Sequence, residues 1–183
     1  MADPLGLESG IVRLLEYDAR WPALFTAEAQ RIRRACAALP VTLEHIGSTS
    51  IPGMCAKPVL DILAGRPRDA PISDYVTALG HAGYVHRGER GIPGREFFRR
   101  GDPRAYHVHL VEEGGPLWRE YLGFRDYLRT HHDAARRLAH VKRGLAAQFA
   151  NDREAYINAK SPHVEEILRL AGVAAAPRQN ETG

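Results

Sequence analysis

The run Glu44-His45-Ile46-Gly47-Ser48-Thr49-Ser50-Ile51-Pro52-Gly53, followed by Lys57-Pro58 and Asp61, holds the residue types best suited to chemistry in this chain. A strand that ends in Gly-Ser and turns toward a helix leaves backbone N–H groups pointing outward. Glycine lets the backbone approach a phosphate closely, and the hydroxyls of Ser48, Thr49 and Ser50 add donors. A carboxylate on the adjoining strand, Asp61, can then hold a divalent metal against that phosphate. Gly-Ser alone is a common turn dipeptide. The full run through Asp61 is far more specific.

His107 and His109 are the next candidates. Residues two apart in a strand point to one face, so both imidazoles converge on Asp61 if the strands are neighbours. His45, just before Ile46-Gly47, is a further candidate for the same cluster. A His/His/carboxylate set suits zinc, manganese or iron better than magnesium, which prefers oxygen. The alternatives are a solvated strand face, histidines that hydrogen-bond Asp61 without metal, or a general base, His107 or His109, acting on an acceptor hydroxyl. Lys57 sits between the loop and Asp61, where it either neutralises phosphate or lines the surface. Arg95 is a candidate bidentate phosphate ligand or an exposed strand end, while Arg99 and Arg100 read as edge-strand charges. Arg125 and Arg129, four apart, present a basic pair to the ligand or a solvated face bridged to Glu120 or Asp133. Tyr156 and Lys160 read as a packed ring with a snorkelling amine.

Elements of two kinds must position these groups. Strands are expected over Val41–Ile46, Lys57–Leu63, Tyr84–Arg87, Arg95–Arg99 and Ala105–Glu112, bounded by the Gly88–Gly94 loop and the turn Gly101-Asp102-Pro103. A helix capped by Asp18 is expected to run through Trp21, Leu24, Phe25, Ile32 and Leu39. A second helix, around Ile72–Leu79, is stopped by Gly83. From Leu117 the period is helical. One stripe is Trp118, Tyr121, Leu122, Arg125 and Leu128; another is Leu138, Val141, Leu145 and Phe149. Ser161-Pro162 reads as the cap and first position of a last helix. Trp21, Phe97, Phe98 and Trp118 read as core. Strands early and helices late predict an α+β domain over 11–172, with a mixed sheet and a helical C-terminal third; residues 1–10 and 173–183 read as flexible termini.

The whole composition fits such a domain. The 183 residues carry a formal charge of +3, 44% hydrophobic and 26% charged residues, values of an ordinary globular chain. So small a charge gives no general argument for nucleic acid, and basic residues interleaved with aromatics are absent. The two cysteines make neither a disulfide framework nor a zinc ribbon; Cys36 reads as core and Cys55 as an exposed loop residue. Without a signal peptide or an apolar run of spanning length, a cytoplasmic location away from membranes is expected.

These motifs resemble the GrpB family, described as predicted nucleotidyltransferases, over roughly Val12 to Ala171. The resemblance is carried by Tyr17-Asp18-Ala19-Arg20-Trp21-Pro22, by His45 to Gly53 and by Lys57-Pro58-Val59-Leu60-Asp61-Ile62. Gly94-Arg95-Glu96-Phe97-Phe98, His107-Val108-His109-Leu110, Phe124 to Arg129, and Tyr156 with Lys160 add to it. It implies a nucleotidyltransferase-like fold and metal-dependent transfer of a nucleotidyl group from a nucleoside triphosphate to an acceptor. In that pattern Gly47-Ser48 hold phosphate and Asp61 is the first metal-binding acid; His107, His109 and His45 are the candidates to complete a site for magnesium, manganese or zinc. GrpB-like domains are also fused to dephospho-CoA kinase, which implies the alternative of a non-catalytic module that binds a nucleotide or phosphorylated small molecule. The nucleotidyltransferase pattern is Asp-x-Asp, and Leu63 stands where its second acid belongs.

Overall fold

The computed structural model describes residues 4–176 and Arg178, and the remaining residues of the two expected flexible ends lie outside that set. Five strands, β1 (Thr42–Ile46), β2 (Leu60–Arg66), β3 (Val85–His86), β4 (Glu96–Arg100) and β5 (Tyr106–Glu112), form one sheet in the order β1-β2-β5-β4-β3. Only β2 and β5 run parallel; the other pairs are antiparallel. Helices α1 (Trp21–Ala35) and α2 (Ile72–His81) come from the first half. Helices α3 (Pro116–Thr130), α4 (His132–Gln148) and α5 (Arg153–Leu170) build the C-terminal third. The architecture is the expected α+β mixed sheet with packed helices.

Strand alternation divides the side chains into two jobs. Leu43, Ile62, Ala64, Phe98, Val108 and Leu110 point to one face and are buried against Ile32 of α1 and Tyr75 and Leu79 of α2. Burying each such side chain contributes about 1.5–3 kcal/mol, so this face fixes the register of the sheet. A slip of one residue would bring Asp61 and the two histidines into that core. The other face carries Asp61, Leu63, His107, His109, Phe97 and Arg99, and helices α3 to α5 cover only part of it. On the covered part, Gly65 of β2 admits the Trp118 ring of α3; a Cβ there would lie 2.6 Å from the ring.

Several expectations change in three dimensions. The arm at residues 4–10 is packed: Leu7 is fully buried and bridges Arg104, and the Gly6 N–H donates to the Pro58 carbonyl at 2.8 Å. Likewise Ala176 is buried, and its N–H donates to Glu120 at 2.6 Å. The last helix starts at the Asp152 cap, not at Ser161-Pro162, and Pro162 lies inside it. Its missing N–H forfeits one backbone bond. Ser161 Oγ donates to the Ile157 carbonyl at 3.0 Å, and buried Tyr156, Ile167 and Leu168 hold the helix across the break. Cys55 is buried, its thiol 3.7 Å from the Ala139 carbonyl. Strand β4 is interior, so Arg99 and Arg100 are not edge charges: Arg100 pairs with buried Glu28 on the core face, and Arg99 lies on the other face.

Candidate functional site

Two rows of residues cross the open face of the sheet. In the first, Asp61 of β2 pairs in register with His107 of β5, and His107 with Arg99 of β4. In the second, Leu63 pairs with His109, and His109 with Phe97. The parallel β2–β5 pairing that sets these rows requires a long crossover through α2, β3 and β4, so local sequence alone does not fix it.

The rows bring both imidazoles onto one carboxylate oxygen. His107 Nδ1 lies 3.0 Å and His109 Nε2 3.2 Å from Asp61 Oδ1. Burial alone would raise the Asp61 carboxyl, but the hydrogen bonds from His107 and then His109 outweigh it and hold the group well below the usual carboxylate range. Burial pushes His109 below its ordinary value, against the pull of its hydrogen bond to Asp61 and of that carboxylate's charge. Tyr121 Oη, 3.3 Å from His109 Nδ1, orients that ring from α3. The Phe97 ring, which the sequence placed in the core, instead packs edge-on against His107 at 4.9 Å and tilted against His109 at 5.3 Å. His107 Nε2 is buried and has no hydrogen-bond partner among the described residues.

Asp61, His107 and His109 are also the one set among the described residues that offers three converging metal-ligand atoms, all within 4.8 Å of one another. Two nitrogens and a carboxylate oxygen fit zinc, manganese or iron, and Tyr121 is the outer partner that a metal-binding histidine ordinarily has. The fit to a pair of magnesium ions is poor, because Leu63 is fully buried with Ile46, Val111 and Leu117 in an apolar cluster. His45 does not join the set. It falls on the opposite face of β1, stacked on Phe25 at 4.8 Å with Nε2 3.0 Å from Thr49 Oγ1, and burial lowers it to about 4. The physical reason is parity: His45 is opposite Ile62, a core-facing residue, while Ile46 is opposite Asp61.

The Gly47-Ser48 turn lies against this cluster. Gly47 has φ 70°, and a Cβ there would lie 2.7 Å from Asp61 Oδ2, so both its conformation and its small size are needed. Ser48–Ser50 form a single 3-10 turn rather than the start of a long helix. Ser50 Oγ donates to the Gly47 carbonyl at 2.6 Å, and Thr49 Oγ1 is engaged with His45, so both hydroxyls serve the turn itself. Ser48 alone of the three extends its hydroxyl to a cation, accepting from Lys142 Nζ at 2.7 Å.

Lys142 is the main residue that sequence reasoning missed. It is 4% exposed on α4, donates also to the Cys55 carbonyl, and burial pushes its amine down to about 7. The signal was present: Lys142 is four residues beyond Leu138 and eight beyond Ala134, a cation within a buried helical stripe. With Lys57, Lys160, Arg104 and Arg153 it lines a cleft of about 190 Å³ that opens onto Ser48 and Asp61. Burial brings Lys57 to about 7 and lowers Lys160 as well. The two amines lie 4.4 and 5.7 Å from the centre of the buried Tyr156 ring, a cation–π platform that orders them. Among the described residues, Asp61 is the sole carboxylate lining this cleft.

The remaining expected ligands are placed elsewhere. Arg125 donates to Glu44 at 2.6 Å, to Asp126 at 2.7 Å and to the His45 carbonyl at 3.2 Å. Arg129 donates to the Ser50 carbonyl at 3.0 Å. Both brace the turn from α3, and neither lines a cleft at Asp61. Arg95 does line one, yet its guanidinium is bonded to the Glu89 and Arg90 carbonyls and lies over Phe97.

Comparison with known proteins matches this arrangement to one family. A family model described as GrpB protein covers residues 11–170. The Bacillus subtilis protein described as UPF0157 protein YqkA is 36% identical over 173 residues, 94% of this chain but 50% of that protein, so the chain spans half the length of that relative. The crystal structure of GrpB from Enterococcus faecalis is similar with a TM-score of 0.80 and 29% identity, over 87% of this chain and 96% of that one. More distantly, terminal uridylyl transferase 4 from Trypanosoma brucei with bound dUTP aligns with a TM-score of 0.51 at 12% identity, over 88% of this chain and 57% of that one; this likeness is one of fold. A dephospho-CoA kinase of Mycolicibacterium paratuberculosis is 27% identical over 87% of this chain and 46% of its own length. With the family model spanning the sheet, the turn and all three C-terminal helices, the chain belongs to the GrpB family, on a nucleotidyltransferase-like fold.

Proposed function

We propose that the protein transfers a nucleotidyl group from a nucleoside triphosphate to an acceptor, with the triphosphate seated in the lysine-lined cleft. The observation that carries this reading is the junction of Lys142 Nζ on Ser48 Oγ with a cleft of five cations that opens onto Asp61. Buried cations without acidic partners attract polyphosphate, and each charge-assisted hydrogen bond contributes about 1.5–3 kcal/mol. Gly47 lets the chain pass close to Asp61, Ser48 and Lys142 hold phosphate oxygens, and Lys57 and Lys160 neutralise the chain of phosphates. Asp61, His107 and His109 would hold a divalent ion, which when bound would supply positive charge for the leaving phosphate. Another cleft at Asp61, about 280 Å³, sets Ile92, Tyr121, Phe124, Leu138 and Leu168 beside Lys142, Lys160 and Glu120, and its apolar side would take the base. The test is pyrophosphate release from ATP or GTP with Mn²⁺. Turnover by the purified protein, reduced to background by Asp61→Ala, is expected. A folded protein that turns over no triphosphate across a broad acceptor panel would sink the reading.

The buried Leu63 favours a second reading, a non-catalytic module for a nucleotide or phosphorylated small molecule, and the dephospho-CoA kinase likeness directs it toward coenzyme A chemistry. Calorimetry separates the two: tight triphosphate or coenzyme A binding with no pyrophosphate released supports the module.

A further inference from the structure

A second cleft adjoins the first at Asp61 and His107, and its chemistry differs from that of the lysine cleft. It measures about 530 Å³ and is lined by Arg87, Arg90, Arg95, Arg99, Arg104 and Arg153, with Asp61 as its one carboxylate. That carboxylate already accepts from two histidines. Arg99 lies directly across the strands from His107, in the row that begins at Asp61. Its Nε is buried without a hydrogen-bond partner among the described residues, and its Nη2 donates to Ser9 Oγ at 3.5 Å. Burial and then the neighbouring Arg87, Arg153 and Arg90 lower Arg99; burial, Arg153 and Arg99 do the same to Arg104. Arg99, Arg87, Arg153 and Arg104 repel one another, with Asp61 and Glu8 offsetting part of that charge at Arg104, and an anion among them relieves the repulsion. Arginine forks match phosphate oxygens in pairs, whereas the lysines of the first cleft act as point charges.

We propose that this arginine cleft binds a second phosphate-bearing small molecule at the same time as the lysine cleft binds triphosphate, and that this second ligand is the acceptor. The acceptor role rests on the transfer reading above; the second anion site does not. The two clefts share Asp61, His107, Arg104 and Arg153, so ligands in them meet at the Asp61–His107 row. Transfer then forms one bond, from an acceptor phosphate oxygen to the α-phosphorus, and breaks one, the α–β bridge, whose electron pair leaves on pyrophosphate. An attacking phosphate oxygen has no proton to lose.

Calorimetry of the full chain tests the proposal with two probes, a nonhydrolysable ATP analogue and inorganic phosphate. Phosphate should bind to protein already saturated with the analogue. Arg99→Gln should weaken that phosphate binding at least about tenfold while changing analogue affinity less than about twofold. Arg87→Glu, at an exposed position, gives the same contrast if Arg99→Gln fails to fold. Lys142→Met should do the reverse. Phosphate that binds only in competition with the analogue, or equal losses for both probes in the arginine variants, overturns the proposal. So does an oligoribonucleotide that binds through these arginines where phosphate does not. If the analogue fails to bind but phosphate still depends on Arg99, the anion site stands and the transfer reading falls.

Discussion

Arg125 and Lys142 are both buried against the Gly47–Ser50 turn, one from α3 and one from α4, yet their surroundings are opposite. Arg125 meets two carboxylates, Glu44 and Asp126, and although burial opposes its charge these partners raise it above the ordinary guanidinium value. Lys142 meets a hydroxyl and a carbonyl, and burial brings it to about 7. Burying a charge costs several kcal/mol unless partners compensate, so the first cation has its counter-charge within the protein and the second lacks one. A cation with its own acids holds the fold. On the function proposed above, a cation buried without them meets an anion from solution.

Three measurements break or sharpen that contrast. Arg125→Met should destabilise the protein by about 3 kcal/mol, because it leaves the His45 carbonyl and Glu44 without their donor; urea unfolding measures it. A loss near zero would make Arg125 a surface charge and end the comparison. Lys142→Met should leave stability unchanged within about 1 kcal/mol, since it exchanges a poorly compensated amine for an apolar chain of similar length. The same variant should weaken tripolyphosphate binding about 100-fold. Equal destabilisation by the two variants would show that Lys142 is as structural as Arg125.

The last test is in pH. The folded values of Lys57 and Lys142 are about 7, against 10.5 for an unperturbed lysine. Between those values the unfolded chain binds more protons than the folded one. Stability therefore rises with pH above 7, by at most about 1.4 kcal/mol per unit for each lysine. Below pH 7 both states are protonated and this contribution is flat. Urea unfolding of the wild type between pH 7 and 9 should show the rise, Lys142→Met should lose part of it, and saturating tripolyphosphate should suppress it by holding the protons on. A profile that falls with pH, or one that Lys142→Met does not alter, contradicts the assignment.

The strand-borne part of the site was legible because a strand has a period of two and little freedom. His107 and His109 had to share a face, and a glycine was expected where the chain turns ahead of Asp61; the structure adds that a Cβ at Gly47 would lie 2.7 Å from the Asp61 carboxylate. His45 fails on the same rule, since its face depends on a register with β2 that one strand cannot reveal. Thr49 and Ser50 show a different limit. Their types are right for phosphate, but short-range bonds to His45 and Gly47 engage their hydroxyls. Arg125, Arg129 and Lys142 show a third: a cation on a helix has the same type whether it meets solvent, a carboxylate or a ligand.

By itself, then, the sequence determined the family, the α+β division into strands and late helices, and the shared face of His107 and His109. Those follow from local periodicity and from residue types that few other arrangements need. The parallel pairing of β2 with β5 brought Asp61 to the two histidines. Only the tertiary structure decided which cations meet at that cluster. Lys142, Lys160 and Arg153 come from helices far along the chain, Lys57 and Arg104 from loops, and Arg99 from a strand brought beside β5. Their energies depend on burial and on the neighbours that long-range packing supplies, and no local pattern encodes either.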